Sequence, residues 1–224
     1  MGEMNLAETV ILLHGIGHNR MNMKGVECAL KAQGYIVFNL TYPSCKMDIT
    51  ALAAWLDEQL EALNIWVVSD KVHFVAHSLG GLVCGCYLEH ALTHIPAHKM
   101  GRVVMLGTPH GGSEVADGLK NFWLFKLAFG PAGQELTTDT RRSRQFKPDY
   151  ELGIIAGTKN WFYPLGRFLI KRPHDGCVSV ESTKIKGMKD HLILPVLHGF
   201  MGWSTQIHTH IIYFLQNGVF SHEG

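Results

Sequence analysis

The segment Val75-Ala-His-Ser-Leu-Gly-Gly81 decides the fold of this chain. It joins the apolar run 71–76 to a stretch whose apolar residues recur with helical spacing. Such a junction predicts a sharp turn from a buried strand into a helix, with Ser78 raised above the sheet edge. Residues two before and two after this serine must be small, because bulky side chains there would collide with the adjoining strand and helix. Ala76 and Gly80 meet this demand.

Two interpretations of Ser78 follow from this setting. A serine at a strand-to-helix junction commonly caps the helix, because its hydroxyl accepts a hydrogen bond from a backbone N–H of the first turn. Alternatively, Ser78 is a nucleophile, and the positive end of the helix dipole stabilises charge that develops beside it. Other segments of the chain favour the nucleophile.

Apolar runs alternate with amphipathic stretches along the chain, which predicts a parallel sheet flanked by helices. The expected strands are 9–13, 35–40, 71–76, 101–106, 152–156 and 193–196, and the expected helices include 22–33, 50–64, a helix from 79 onward and one around 207–215. Residues 107–151 hold no predicted strand. Within them, 121–129 contains four aromatic residues and predicts a helical insertion.

Two further segments follow predicted strands and should reach the same carboxyl edge of the sheet. His14-Gly-Ile-Gly-His-Asn19 follows the first strand, and Gly107-Thr-Pro-His-Gly-Gly-Ser113 follows the fourth. An ester-cleaving serine needs two N–H donors at the carbonyl oxygen that becomes an oxyanion. We therefore expect the backbone N–H groups of Ile16 and Leu79 to form an oxyanion hole. His14 is expected to brace its loop through hydrogen bonds.

In this order, the three motifs resemble those of α/β-hydrolase lipases and esterases, in particular small Bacillus-type lipases and the bacterial lipases related to GPI-inositol deacylases. The resemblance is specific over residues 10–113 and looser toward the C-terminus. It implies a reduced α/β-hydrolase fold, with a mostly parallel sheet of about six strands, helices on both faces and a helical insertion after the fourth strand. Because so little chain precedes the first predicted strand, the antiparallel strands that open the full fold are expected to be missing.

Candidates for the other two catalytic residues follow from the chain order of this fold, which is serine, then acid, then histidine. Asp175 is the first acid after the fifth predicted strand, and its surroundings resemble the Asp-Gly-x-Val segment of the family. Asp190 is the alternative. His198 matches the family's His-x-Phe-Met pattern and is expected in the loop before the C-terminal helix. Other histidines nearby fall before the last predicted strand or within that helix, namely His191, His208 and His210.

The resemblance implies a serine carboxylic-ester hydrolase of the EC 3.1.1 type, in which Ser78, His198 and Asp175 act through an acyl-enzyme. A thioesterase, amidase, phospholipase or acyltransferase with the same triad remains an alternative, as does a noncatalytic ligand-binding protein of this fold. The insertion, 118–150, is interpreted as a lid or substrate-binding element, and alternatively as a plain core helix. The apolar side chains expected to bind substrate are Phe122, Trp123, Phe125, Phe200 and Met201.

The composition bears on the number of domains, on nucleic acid as a partner and on the state of the cysteines. The chain has 224 residues, 46% of them hydrophobic and 17% charged, which predicts one globular domain over residues 1–224. A net charge of +1 gives no electrostatic reason to expect a nucleic acid partner. The cysteine number is odd, so free thiols are expected rather than a disulfide framework.

Neither a cofactor nor a metal ion is expected. The glycine-rich segments match neither a phosphate-binding loop nor a dinucleotide fingerprint, and His90, His94 and His98 lack a zinc-protease pattern. No long apolar run predicts a transmembrane helix, and no secretory signal is visible, so we expect a cytoplasmic location. Secretion or association with the cell envelope is the alternative if a signal has been removed. The expected partner is an acyl-ester or lipid substrate, with transient contact to a lipid surface. The sequence indicates no oligomeric state.

Overall fold

A computed structural model describes residues 8–119, 123–143, 147–161 and 170–222 of the chain. Its centre is a six-stranded sheet composed of β1 (Thr9–Leu13), β2 (Ile36–Leu40), β3 (Val72–His77), β4 (Met100–Leu106), β5 (Leu152–Gly157) and β6 (Asp190–Leu194). All neighbouring strands run parallel, in the order β2-β1-β3-β4-β5-β6. The predicted parallel sheet of reduced size is therefore confirmed.

Helices cover both faces of this sheet, as predicted. The 3₁₀ helix Arg20–Met23 leads into α1 (Lys24–Ala32), and α2 (Ile49–Ala62), α3 (Ile65–Val68) and α4 (Leu79–Ala91) follow in turn. In the structure the insertion after β4 begins at Glu114 rather than at residue 118, and it consists of α5 (Glu114–Leu119), α6 (Trp123–Gln134) and α7 (Thr138–Ser143). Beyond β5 come α8 (Val180–Thr183), the 3₁₀ helix His198–Trp203 and α9 (Thr205–Asn217).

Two apolar layers hold the sheet between its helices. Along β1, Ile11 and Leu13 face the layer that contains α2 and α4, whereas Val10 and Leu12 face the layer that contains α1 and α9. Both sets are buried, because a parallel sheet covered on both faces exposes neither side to water. This explains why the strands read as continuous apolar runs in the sequence.

The last strand differs from its prediction at both ends. β6 begins at Asp190 and ends at Leu194, whereas the apolar run predicted 193–196. Its first two residues are polar and gave no strand signal, while Pro195 lacks the N–H that would continue the ladder. The Asp190 carboxylate accepts hydrogen bonds from the N–H groups of Phe220 and His191. Asp190 therefore lies at the amino edge of the sheet and secures the segment after α9.

The strand order leaves a crevice at the carboxyl edge. The chain passes from β1 to β2 on one side, then crosses back to β3 on the other side of β1. The loops that follow β1 and β3 consequently diverge. The crevice between such loops is where ligands bind in open parallel sheets. Within the described part of the chain, no helix has both the length and the apolar character needed to cross a membrane.

Candidate active site

Ser78 lies at the tip of the turn between β3 and α4. Its backbone has φ 54° and ψ −121°, and Asn64 is the only other non-glycine residue with positive φ in the described ranges. The Ser78 N–H donates to the carbonyl of Leu106, which ties the turn to β4. Its side chain makes no capping hydrogen bond to α4. The strained turn therefore presents the hydroxyl outward, and the helix-cap interpretation loses its support.

Close packing explains the small residues around this turn. A Cβ on Gly80 would lie 2.7 Å from the carbonyl oxygen of His14 and 2.8 Å from that of Leu13. Backbone oxygens of a central strand cannot move aside, so only glycine fits this position. Ala76 is fully buried at the matching place on β3. Ala76 thus meets the same steric demand as the first glycine of the Gly-x-Ser-x-Gly turn that is usual at such a nucleophile.

Ser78, His198 and Asp175 are brought into direct contact. The Nδ1–H of His198 donates to Asp175 Oδ2 over 2.7 Å, since a carboxylate can only accept. His198 Nε2 is therefore the acceptor, and the Ser78 hydroxyl donates to it over 3.0 Å. All three side chains are buried. The order of groups is hydroxyl, imidazole and carboxylate.

The backbone of the turn 175–178 holds the Asp175 carboxylate in place. Asp175 Oδ1 accepts hydrogen bonds from the N–H groups of Cys177 (3.0 Å) and Val178 (2.8 Å). Gly176, between Asp175 and Cys177, has φ 104°, which favours glycine at this position. The carbonyl of Asp175 also accepts from the His198 N–H over 3.1 Å. One oxygen of the carboxylate is thus fixed by the backbone, and the other is left for the imidazole.

His77, next to the nucleophile, was not singled out from the sequence. Its Nε2–H donates to the carbonyl of His198 over 3.0 Å, and the two rings lie 4.8 Å apart. Burial holds the pKa of His77 well below its usual value, and the nearby His198 lowers it further. His77 is therefore a neutral donor that fixes the backbone of His198. Its position beside the nucleophile was the one signal available.

The loop after β1 approaches Ser78 closely. A Cβ on Gly15 would lie 3.3 Å from the Ser78 Cβ and 2.9 Å from His77 Nδ1. His14 braces this loop as expected, since its Nδ1–H donates to the Gly15 carbonyl and its Nε2 accepts from the Tyr42 N–H. The glycine thereby lets the backbone carrying the predicted oxyanion donor reach the nucleophile.

A mainly apolar cavity of about 240 Å³ opens over the Ser78 hydroxyl. Ile16 from the loop after β1 lines it, and Leu79, the other predicted oxyanion donor, begins α4 directly behind the serine. The insertion contributes a wall made of Val115, Ala116, Phe129 and Leu136. In the described ranges no group of three or more His, Cys, Asp or Glu side chains is arranged to hold a metal ion.

Of the residues predicted to bind substrate, one lies at the surface near the cavity and another lies in the core. Phe200 is half exposed and lines a second depression beside the cavity. Met201 is fully buried in the core and packs beside Gly107 and Gly157, which removes it from the substrate surface. The 3₁₀ helix turns these two adjacent side chains in opposite directions. Phe122 and the side chains of Trp123 and Phe125 lie outside the described part of the chain.

Sequence reasoning missed the side chains of the insertion that do line the cavity. Phe129 stood within the aromatic segment but was not singled out. Gly130 has φ 58° and ψ −157°, and this non-helical residue, followed by Pro131, interrupts α6. This kink breaks the helical periodicity from which a facing side chain could have been predicted. Val115 and Leu136 carried no distinctive pattern.

Comparisons with known proteins place this fold in context. The mature lipase BlEst2 of Bacillus licheniformis is similar with a TM-score of 0.75 and 20% identity, covering 95% of this chain and 92% of that one. The phospholipase PlaB of Legionella pneumophila gives 0.64 and 18%, covering 80% and 44%. The type II thioesterase YbtT of yersiniabactin biosynthesis gives 0.62 and 14%, covering 97% and 96%.

At these identities the similarity establishes the fold alone, and no curated protein sequence matches the chain. The alpha/beta hydrolase family, however, matches residues 10–183, which is well over half of the chain. The matched region includes the turn at Ser78 and the loop that carries Asp175. This protein belongs to the alpha/beta hydrolase family.

Proposed function

We propose that this protein is a serine carboxylic-ester hydrolase whose catalytic residues are Ser78, His198 and Asp175. One observation carries the proposal, namely the continuous contact from Ser78 Oγ to His198 Nε2 (3.0 Å) and from His198 Nδ1 to Asp175 Oδ2 (2.7 Å). A serine hydroxyl is a weak nucleophile until an adjacent base removes its proton. The imidazole is oriented for that task by the buried carboxylate.

In the first half-reaction, Ser78 Oγ attacks the acyl carbon while its proton moves to His198 Nε2. The carbonyl electrons move to oxygen, where the N–H groups of Ile16 and Leu79 stabilise the negative charge. As the tetrahedral intermediate collapses, His198 returns the proton to the leaving oxygen. The products are an alcohol and an acyl group bound to Ser78.

In the second half-reaction, water takes the place of the alcohol. His198 removes a proton from the water, whose oxygen attacks the acyl carbon, and then protonates Ser78 Oγ as the acid leaves. Asp175 stabilises the imidazolium in both steps without taking a proton itself. His77 keeps the His198 backbone in place throughout, because its hydrogen bond does not involve the reacting nitrogen.

The lining of the cavity supports an apolar acyl group as substrate. Val115, Ala116, Phe129 and Leu136 bring only hydrocarbon surface from the insertion. A charged acyl group would lose its hydration there without gaining a partner. Cys177 also lines the cavity, and burial raises the pKa of its thiol, which keeps it neutral. We take the chain as one hydrolase domain whose insertion forms the acyl-binding wall.

Covalent labelling of the folded protein tests this proposal. A fluorophosphonate probe is expected to add once, to Ser78, and the Ser78→Ala variant is expected to give no adduct. Ser204→Ala is the matched control, because Ser204 only caps α9 and its loss should leave labelling intact. Absence of an adduct in the folded wild-type protein contradicts the proposal.

A substrate panel then separates the ester hydrolase from related activities. Nitrophenyl esters of increasing acyl length are expected to be hydrolysed, with the apolar acyl groups preferred. Acyl-CoA thioesters and phospholipids serve as the comparison substrates, and alcohols added as acceptors reveal acyl transfer. A higher kcat/KM for one of these comparison reactions would assign the same triad to that class instead.

A further inference from the structure

Beside the cavity over Ser78 lies a second, more open depression of about 320 Å³. We call it the outer groove; His18, Met21, Gly199, Phe200 and Trp203 line it, together with Gly17 and the two polar residues Asn19 and Asn22. It adjoins the cavity directly, since His18 and Gly199 line both. Gly199 has no side chain, so the imidazole of His18 is the side chain that separates the two spaces.

The outer groove presents apolar side chains to solvent. The exposed fractions are 53% for Met21, 53% for Phe200 and 50% for Trp203. The described residues that line it include no Asp, Glu, Lys or Arg. A cluster of large apolar side chains exposed in a depression is typical of a binding surface. Its continuity with the cavity over Ser78 indicates that the same molecule occupies both.

The reaction decides which part of that molecule lies in each space. The leaving oxygen must come within hydrogen-bonding distance of His198 Nε2 to receive its proton. Gly199 and Phe200 directly follow His198, so a leaving group attached to that oxygen can extend over them into the outer groove. The acyl group then extends the other way, toward the wall formed by the insertion.

Product release favours the same arrangement. The alcohol must leave before water attacks, while the acyl group stays bound to Ser78. The outer groove is the more open of the two spaces, with exposed walls, whereas buried residues such as Ala116 and Leu136 close the cavity. An open site suits the product that departs first and the water that replaces it.

We propose that the outer groove binds the alcohol half of the ester and selects apolar, aromatic alcohols, with His18 as the wall between alcohol and acyl group. This rests on the proposed function, because it assigns a second subsite to the same reaction. The substrate class is an ester with an apolar hydrocarbon group in both its acyl part and its alcohol part. Selection for the alcohol acts only on formation of the acyl-enzyme.

Two butanoate esters with alcohols of similar acidity, ethanol and 2-phenylethanol, provide the test. The wild-type protein is expected to prefer the 2-phenylethyl ester. In the Phe200→Ala/Trp203→Ala double variant, kcat/KM for that ester should fall about tenfold, since apolar contact with the phenyl ring is lost. The value for the ethyl ester should fall much less, because ethanol places no ring in the groove, so the ratio of the two values is the readout. Tyr213→Ala is the matched control, an exposed aromatic on α9 that lines neither space.

Hydrolysis of the preformed butanoyl-enzyme gives a second readout. The alcohol has already left this species, so its rate of hydrolysis should be equal in the wild-type protein and the double variant. Equal losses for both esters, or slower hydrolysis of the butanoyl-enzyme, would overturn the proposal. The proposal would also be overturned if the variant lost activity only on esters presented in lipid vesicles, since that result would assign the groove to membrane contact. If no butanoyl-enzyme forms at all, the proposed function itself fails.

Discussion

Strand β3 carries a buried histidine near each end, and the two have different partners. His73, near the amino end, accepts a hydrogen bond at Nδ1 from the Arg102 N–H over 2.9 Å, and its Nε2 faces Glu8. His77, at the carboxyl end, donates to the carbonyl of His198. Burial lowers the pKa of both imidazoles. The two histidines are thus similarly buried, but His73 contacts charged residues whereas His77 holds the backbone of His198.

The difference lies in what each edge of the sheet brings together. At the amino edge, His73 adjoins ion pairs such as Arg102–Glu151, which are partly exposed and contribute little to stability. At the carboxyl edge, the loops after β1, β3 and β5 and the chain after β6 converge on one hydroxyl. A buried histidine is therefore no signal of function by itself. Its neighbours at the strand end decide its role.

The largest expected effect is on kcat, and it distinguishes a substitution at the carboxyl edge of the sheet from one at the amino edge. Ser78→Ala should lower kcat for ester hydrolysis by about 10⁴-fold or more, since it removes the nucleophile. His73→Phe at the amino edge should leave kcat nearly unchanged. Steady-state kinetics measure both, and circular dichroism checks that each variant is folded. Full activity of Ser78→Ala would assign the chemistry to another residue.

Asp175 and Asp190 give the next comparison, because they are the two acids that the sequence left open. Asp175→Asn should lower kcat by about 10³- to 10⁴-fold. The N–H groups of Cys177 and Val178 would hold the amide oxygen, so the amide NH2 would face His198 and donate to Nδ1, which leaves the imidazole in the wrong tautomer. Asp190→Asn should affect the thermal midpoint alone, because its hydrogen bonds hold the segment after α9. A reversed ranking in kcat would make Asp190 the catalytic acid.

The two histidines of β3 can be compared directly by replacement with phenylalanine. His77→Phe should lower kcat by about tenfold with little change in KM, because the His198 backbone loses a hydrogen bond of ordinary strength. His77→Gln, which keeps an N–H donor, should recover part of the loss. His73→Phe should change stability without changing kcat. Equal effects on kcat from both positions would show that His77 acts through stability alone.

The smallest effect is the pH dependence of stability. Burial holds the pKa of His77 well below its usual value and lowers that of His110 to about 3. In the unfolded chain both titrate near 6.5, so below that pH the unfolded state binds more protons than the folded state. Their contribution to stability is therefore complete above pH 6.5 and declines as the pH falls.

Urea unfolding between pH 7 and pH 5 measures this decline. Each such histidine adds up to about 1.4 kcal/mol per pH unit to the slope. His110→Gln should therefore lower the slope of the free energy of unfolding against pH by the contribution of one histidine, compared with the wild-type protein. The carboxyl group of Glu27, whose pKa is held near 2 by Lys31, Asn39 and Lys24, loses its contribution only at lower pH. An unchanged slope would show that His110 titrates normally in the folded protein.

Local patterns were sufficient for the strands, most helices and the turn at Ser78. Burial in a parallel sheet produces continuous apolar runs, and a helix face produces a regular spacing, so each can be read without knowledge of distant residues. The exception was β6, whose polar beginning hides the pattern. The turn at Ser78 could be predicted for the same reason, since Ala76 and Gly80 are the small residues that the adjoining backbone requires.

The sequence by itself therefore determined the alpha/beta hydrolase architecture and the position of Ser78. Only the tertiary structure decided that Asp175 rather than Asp190 faces His198, that Met201 points into the core, and that the insertion supplies Phe129. Ser78 and His198 lie 120 residues apart in the chain, and their contact depends on how separate strand ends converge. Side-chain direction at such ends is set by packing against distant elements, which no local pattern records.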